Sequence, residues 1–275
     1  MYPLSDLTLA RRLERTEACA NASFVEARAA LDPASGAVWM EVGGTYAMFD
    51  GRESPLTQTF GLGLFADLEP RDLERLEAFF RERDAPVNHE VSPLSGVPLV
   101  RELADRGYRV AEQTSVMYQP IDLDALSPPS PAIDVRPIHA DQADEWAATA
   151  ATGWSSESPA LEAFMRGLGR ISVRAEGTTA FLAWLEGRPI AAAALRCTDG
   201  VALLAGASTV PAARKQGAQQ ALLHARLHAA RANGCDLAMM CAAPGGPSQR
   251  NAERQGFRIA YTRTKWELKE LKELT

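Results

Sequence analysis

The chain has 275 residues, 46% apolar and 23% charged, with a formal net charge of −6; this is globular composition at a length for one large domain or two ordinary ones, and it excludes wholesale disorder. The acidic balance excludes a general nucleic-acid binder, and no apolar run reaches the roughly 18–20 residues that a membrane span needs. The start, Met1 to Asp6, has no basic head or apolar stretch, and Cys19, Cys197, Cys235 and Cys241 form no C-x-x-C pair, so the expectation is a cytoplasmic protein with reduced thiols, no membrane partner and no metal.

In chain order, alternating and β-branched stretches predict strands near Val38–Val42, Thr45–Phe49 and Gln58–Leu64. A helix at Arg71–Arg83, a strand at Val87–Val91, a helix at Leu99–Asp105 and a β-rich run ending near Met117 follow. Pro128, Pro129, Pro131 and Pro137 exclude a helix from the next stretch and predict an extended connector. Residues 126–132 are therefore read as a linker between a domain at 1–125 and another at 133–275.

Beyond it, Ile133–Arg136 reads as a short strand, and Ala140–Thr152 and Pro159–Leu168 as helices. Thr179–Leu185 and Ile190–Arg196 flank the turn-rich Glu186-Gly187-Arg188-Pro189 and predict a hairpin. Val201–Val210 is a further apolar strand. Gln216–Ala232 carries Ala221, Leu222, Ala225, Ala229 and Ala232 on one helical face and stops at Asn233-Gly234. Cys235–Ala242, Ser248–Gln255 and Phe257–Leu268 then read as strand, short helix and closing strand.

The halves repeat. A shift of 149 positions sets Gly107-Tyr108-Arg109-Val110 on Gly256-Phe257-Arg258-Ile259, Leu73 on Leu222 and Met117 on Trp266. Three coincidences in one register predict a duplicated α/β (α+β) fold, each half a mixed, mainly antiparallel sheet flanked by helices. Charge is divided unequally: residues 1–130 hold 12 Arg, no Lys and 21 Asp plus Glu, net −9, whereas 131–275 hold 17 cations and 14 anions, net +3. A small anionic ligand belongs on the second half.

Ser208-Thr209-Val210-Pro211-Ala212-Ala213-Arg214-Lys215-Gln216-Gly217-Ala218-Gln219-Gln220 joins a buried strand to a helix N-terminus. Unpaired N–H groups and the positive end of the helix dipole make such a junction an anion site. Gly217 admits close backbone approach, and Arg214 and Lys215 add cationic donors. Without Gly-Lys-Ser/Thr the loop is not a nucleotide P-loop, which leaves a diphosphate held mainly by backbone N–H groups without metal.

At these residues the chain resembles the GNAT-type N-acetyltransferases, whose signature reads R/Q-x-x-G-x-G/A. Arg214-Lys215-Gln216-Gly217-Ala218 fits and Gln219, at the last small position, departs from it. Ser248–Phe257 resembles the family's short helix ending in Gly-Phe, followed by the Tyr261–Trp266 strand. The resemblance implies two tandem GNAT-like domains with the first degenerate, and acetyl-CoA or another acyl-CoA as donor. It places the diphosphate on Gln216, Gly217, Ala218, Gln219 and Gln220 with Arg214 and Lys215, the pantetheine arm along Ser208, Thr209 and Val210, and Asn251 near the cofactor. An N–H near Thr209 would polarise the thioester carbonyl.

The implied reaction is direct attack of a primary amine, on a small molecule or a peptide, which needs a base and an acid. Where many relatives carry a tyrosine acid this chain has Ala252. The remaining candidates are Ser248, Tyr261 and Glu157, each with a plainer reading: helix N-cap, packed strand residue and solvated loop carboxylate. The alternatives to an N-acetyltransferase are an acyl-CoA-binding regulatory protein without turnover, and a specialised tandem acyltransferase resembling mycothiol synthase.

Three further patterns are weighed. Gly61-Leu62-Gly63-Leu64-Phe65-Ala66 matches a dinucleotide fingerprint, but Asp67 and Glu69 would face the pyrophosphate. His224 and His228 have metal-chelating spacing without a third ligand. His89-Glu90 reads as a surface pair at a strand end. Under the 149-residue shift, Phe65-Ala66-Asp67-Leu68-Glu69 replaces Arg214–Ala218, so the first half is expected not to bind CoA.

Overall fold

Asp6 accepts from the Leu9 N–H at 2.9 Å and caps α1, Leu7–Leu31, a 25-residue helix where the sequence pattern predicts no element. Its buried face joins Leu9, Ala10, Leu13, Ala18, Ala22 and Val25 with the carboxylate of Glu14, so charge interrupts the apolar periodicity. The computed structural model describes residues 2–154 and 159–268. They fall into two units, Met1–Tyr118 with Cys241–Thr275, and Gln119–Met240.

In the first unit, β1 (Val38–Val42) and β2 (Thr45–Phe49) form a hairpin, and β3 (Gln58–Phe60) extends it antiparallel. After α2 (Pro70–Arg81), β4 (Val87–Val91) pairs parallel with β3 through Thr59 and His89. Helix α3 (Val97–Asp105) and strand β5 (Tyr108–Pro120) follow. The last strand, β11 (Arg258–Leu268), lies antiparallel between β4 and β5. On α2, Leu73, Leu76 and Phe80 recur at helical spacing and pack on Val42, Ala47, Val87, Leu103 and Tyr108.

In the second unit, β6 (Asp134–Pro137), β7 (Thr178–Leu185), β8 (Arg188–Thr198) and β9 (Val201–Thr209) are antiparallel neighbours in that order. Helices α4 (Ala143–Thr152) and α5 (Pro159–Ser172) lie between β6 and β7 in the chain, and α6 (Ala218–Ala232) follows β9. Strand β10 (Leu237–Ala242) pairs parallel with β9. Ala191, Ala192, Ala193 and Ala194 are all buried on β8, where small side chains admit α4 and α6 closely. Trp146 on α4 is buried and its indole N–H donates to the carbonyls of Phe181 (3.0 Å) and Ala193 (3.2 Å), which satisfies its one polar atom.

Each half thus shows the predicted element order of strand hairpin, third strand, helix, strand, helix and closing strand. The fold is α/β, with a mixed, mainly antiparallel sheet flanked by helices in each half. The units are drawn differently from the sequence boundaries. Described residues 241–268, which the sequence boundaries place with 133–240, fall in the unit of Met1–Tyr118. The cause is strand pairing: β11 takes its hydrogen bonds from β4 and β5.

Candidate functional site

Strands β9 and β10 pair only where Leu237, Ala238 and Met239 face Val201, Ala202 and Leu203. Beyond Leu203, β9 continues to Thr209 with β8 on one side alone. On that side the register jumps between Ala192/Ser208 and Ala194/Ala205, so Gly206 and Ala207 bulge opposite Ala193. Gly206 takes φ +60°, and Ala205, Gly206 and Ala207 are exposed. Among the described residues, the edge of β9 beyond Leu203 therefore pairs with no second strand, which leaves a surface to which an extended chain can add as a strand.

The end of that edge is held firmly. Ser208 Oγ donates to the Ala150 carbonyl at 2.8 Å, and the Val210 N–H donates to the Ile190 carbonyl at 2.9 Å. Because successive residues of an antiparallel strand face opposite ways, Ser208 and Val210 spend their backbone groups on β8, and Thr209 turns its N–H outward. Of the three residues the sequence analysis placed beside the pantetheine, Thr209 alone offers a backbone donor to the open side.

Past Val210 a single turn, Pro211–Ala213, leads to Arg214, Lys215 and Gln216, all exposed. Lys215 (φ +64°) and Gly217 (φ +90°) are left-handed, a backbone that lysine adopts only under constraint. Gly217 occupies the N-cap of α6 with no side-chain cap, and the first turn carries no acidic residue. The first helical bond is Ala221 N–H to the Gly217 carbonyl, so the N–H groups of Ala218, Gln219 and Gln220 precede the helical ladder. The side chain of Arg214 donates to the Gly153 carbonyl at 2.8 Å, that of Gln219 to Thr209 Oγ1 at 2.7 Å, and that of Gln220 to the carbonyls of Ser127 and Pro128 at 3.4 Å.

The corresponding place in the first half is filled. Glu69 is the N-cap of α2, its side chain takes the N3 N–H, Asp72 reaches back to the Glu69 N–H, and Pro70 supplies no donor. The helix start is thus closed by two carboxylates. The Gly61–Phe65 turn is packed as well: Leu62 and Leu64 are buried, Ser95 Oγ and Arg11 Nε each donate into it at 2.6 Å, and a Cβ on Gly63 would lie 2.7 Å from Leu99.

The catalytic candidates are dispersed. Glu157 lies outside the described residues. Ser248 is exposed in the first turn of α7 (Pro247–Arg254), whose N-cap is Gly246 and not Ser248 as expected. Asn251 is exposed on the same helix and accepts from Arg254 at 2.5 Å. Ser248 and Asn251 belong to the unit that contains β11, whereas the loop at 208–220 belongs to the other.

Tyr261 is 7% exposed and donates to Glu14 Oε1 at 2.8 Å, within a buried cluster that no local sequence signal announces. Arg263 is its centre, bidentate to Glu17 at 2.5 and 2.8 Å and 3.4 Å from Glu14. Glu90 Oε2 sits 2.9 Å from Arg263 Nε, with the N–H not aimed along the contact. The Cys241 thiol donates to Glu17 at 3.3 Å. Burial, partly offset by Arg263, pushes Glu14 up to about 6, while Glu17 is held below the ordinary carboxylate value by Arg263 against its own burial. Burial, the Glu14 charge and the hydrogen bond to it keep the Tyr261 phenol well above its usual range.

His89 and Glu90 are buried, at 0% and 4% exposure, which corrects the reading of a surface pair. His89 bonds Thr59 Oγ1 through Nδ1 and Tyr108 OH through Nε2, each at 2.9 Å, and Tyr108 donates on to Glu77 at 3.2 Å. Burial lowers the His89 pKa to about 3, so the ring is neutral. The rings of His224 and His228 have centroids 4.4 Å apart and are tilted by 38°. Among the described residues no group of three His, Cys, Asp or Glu side chains is arranged to hold a metal, and no helix is long and apolar enough to cross a membrane.

Residues 130–244 match the family described as acetyltransferase (GNAT) domain. Among solved structures, the chain resembles a GCN5-related N-acetyltransferase from Kribbella flavida at 20% identity and TM-score 0.59, covering 89% of this chain and 95% of that one. It resembles a tandem GNAT protein from the clavulanic acid biosynthesis pathway at 13% identity and TM-score 0.59, over 84% and 82% of the two chains. A conserved protein of unknown function from Bacteroides thetaiotaomicron aligns at 12% identity and TM-score 0.60, over 98% of both. No curated protein matches the chain.

Proposed function

We propose that this chain, whose residues 130–244 match the GNAT acetyltransferase domain, is a GNAT-type, acyl-CoA-dependent N-acetyltransferase with its donor site in the 208–220 segment. The observation that carries this is the junction of β9 and α6: a free strand edge runs into a helix N-terminus that has neither a side-chain cap nor a carboxylate. The diphosphate would rest on the N–H groups of Ala218, Gln219 and Gln220, with Gly217 removing the Cβ that would obstruct it and Lys215 and Arg214 adding charge. The pantetheine would add along Ala205–Thr209. The outward Thr209 N–H would meet the acyl carbonyl and stabilise the oxyanion formed when a neutral primary amine attacks.

The first half offers no second donor site, because Glu69 and Asp72 occupy the corresponding helix start. Its role is structural or acceptor-shaping. The acceptor is a small-molecule amine or a peptide. A regulatory acyl-CoA-binding protein without turnover is the second reading, favoured by the commitment of Tyr261 to Glu14.

Titration calorimetry of acetyl-CoA into wild type and into Gln220→Glu tests the site. A glutamate at N3 suits a helix start, so the variant folds, yet it puts a carboxylate where the diphosphate would lie. Micromolar binding that falls at least tenfold in Gln220→Glu supports the reading; no binding to folded wild type overturns it. Turnover with a panel of amines then separates enzyme from binding protein.

A further inference from the structure

The residue that departs from the family signature is the one that spans the site. Gln219 stands in the first turn of α6 and its amide donates to Thr209 Oγ1 at 2.7 Å. Thr209 ends β9, with Val210 beyond it bonded to β8 and Ser208 before it tied to Ala150. Both of those bonds restrain the strand from the β8 and α4 side. On the opposite side β10 leaves β9 after Leu203, so among the described residues no strand backs Thr209 there. Among the described contacts, the Gln219 amide is what ties the Thr209 side chain to α6.

We propose that Gln219 is a positioning residue that braces Thr209 across the gap between β9 and α6. It thereby sets the direction of the Thr209 N–H and of the free edge leading to it. A small residue at this point would let strand end and helix start approach through backbone alone; a glutamine keeps them apart and replaces that contact with a side-chain bridge. The Thr209 hydroxyl accepts from Gln219 and so retains its own proton as a second donor. The proposal rests on the donor-site reading above, but its effect is confined to the pantetheine and acyl end. The diphosphate would be held by backbone N–H groups that the Gln219 side chain does not supply.

The experiment is titration calorimetry of wild type, Gln219→Ala, Thr209→Val and Thr209→Ser with acetyl-CoA and with 3′-phosphoadenosine 5′-diphosphate, which carries the diphosphate without pantetheine. The expected result is a loss of about five- to tenfold for acetyl-CoA in Gln219→Ala and in Thr209→Val, the scale of one neutral hydrogen bond. Thr209→Ser, which keeps the hydroxyl, should bind as wild type does, and all three variants should bind the nucleotide diphosphate as wild type does. Thermal unfolding of each variant confirms that it is folded. Tighter acetyl-CoA binding by Gln219→Ala would mean that the side chain obstructs the gap, and equal losses for both ligands would mean direct contact with the diphosphate. Either overturns the brace, as does unchanged binding throughout. Wild type that binds neither ligand overturns the donor site itself.

Discussion

Ser208 and Gly153 meet so closely that a Cβ on Gly153 would stand 2.5 Å from Ser208 Cβ and 3.1 Å from the Ala150 carbonyl, which accepts the Ser208 hydroxyl. The end of β9 is therefore set by α4 as well as by β8. Ser208→Ala should cost about 1 kcal/mol of stability through the lost hydrogen bond. Gly153→Ala should cost more, about 1–3 kcal/mol, because the clash is with a Cβ that both serine and alanine carry. Urea unfolding of the single and double variants checks this: Ser208→Ala removes the Oγ at 2.7 Å from the new Cβ but keeps the Cβ at 2.5 Å, and so should relieve Gly153→Ala only in part.

Glu14 is protonated more readily in the fold than in the unfolded chain, with its pKa raised from 4.5 to about 6 by burial. A raised carboxylate pKa means that its contribution is whole below the unfolded value and is lost as pH rises through the folded one. Glu14→Gln should therefore flatten the stability profile between pH 4.5 and about 6, removing a wild-type loss of about 2 kcal/mol. Denaturant unfolding of both proteins at pH 4.5 and pH 7 measures it.

Arg263 is the guanidinium that faces Glu14, Glu17 and Glu90 in ion pairs. Replacing it by methionine leaves three buried carboxylates together and should cost about 3–5 kcal/mol at pH 7. Acid should lessen the defect, since protonated carboxyls no longer repel. A Tm difference from wild type that narrows between pH 7 and pH 5 is the expected reading.

His89 should remain neutral from pH 5 to pH 8, and its ring carbon resonance should not shift over that range. Because burial depresses its pKa from 6.5 to about 3, folding stability from this group is whole above pH 6.5 and falls as the pH drops through that window. A titrating resonance near pH 6.5 would show that water reaches the ring.

Arg226 is 4% exposed on α6, and its described partners are the carbonyls of Leu222 at 3.2 Å and Ala194 at 3.4 Å. Burial lowers its pKa to about 10. A buried cation held by carbonyls alone gains little over an apolar side chain of similar length, so Arg226→Met should be neutral or stabilising, by about 1 kcal/mol. Thermal unfolding decides it, and a large loss would point to a structural demand for the guanidinium.

Much of the proposed donor site was legible because its signals are local. Gly217 predicts a left-handed turn, the 3–4 spacing of Ala221, Leu222 and Ala225 predicts the helix, and together they locate an uncapped N-terminus. Asp67 and Glu69 likewise announce the degenerate half, and Glu69 is the N-cap that closes it. Helix α1 escaped notice because its buried face includes Glu14 and Thr16, and a pattern that counts charge as solvent-facing reads such a stretch as irregular. The misplacement of His89 and Glu90 has the same origin, since their partners, Thr59, Tyr108 and Arg263, come from other strands.

The sequence by itself determined the order of the elements after α1, the duplicated halves, the left-handed turn at Gly217 before an uncapped helix and the loss of that turn in the first half, because each depends on residues a few positions apart. Only the tertiary structure decided that β11 pairs with β4 and β5, that Tyr261 is spent on Glu14, that Thr209 alone in Ser208–Val210 turns a donor outward, and that Gln219 reaches it. Those outcomes depend on strand register and on charges brought together from distant parts of the chain, and neither leaves a mark in local spacing.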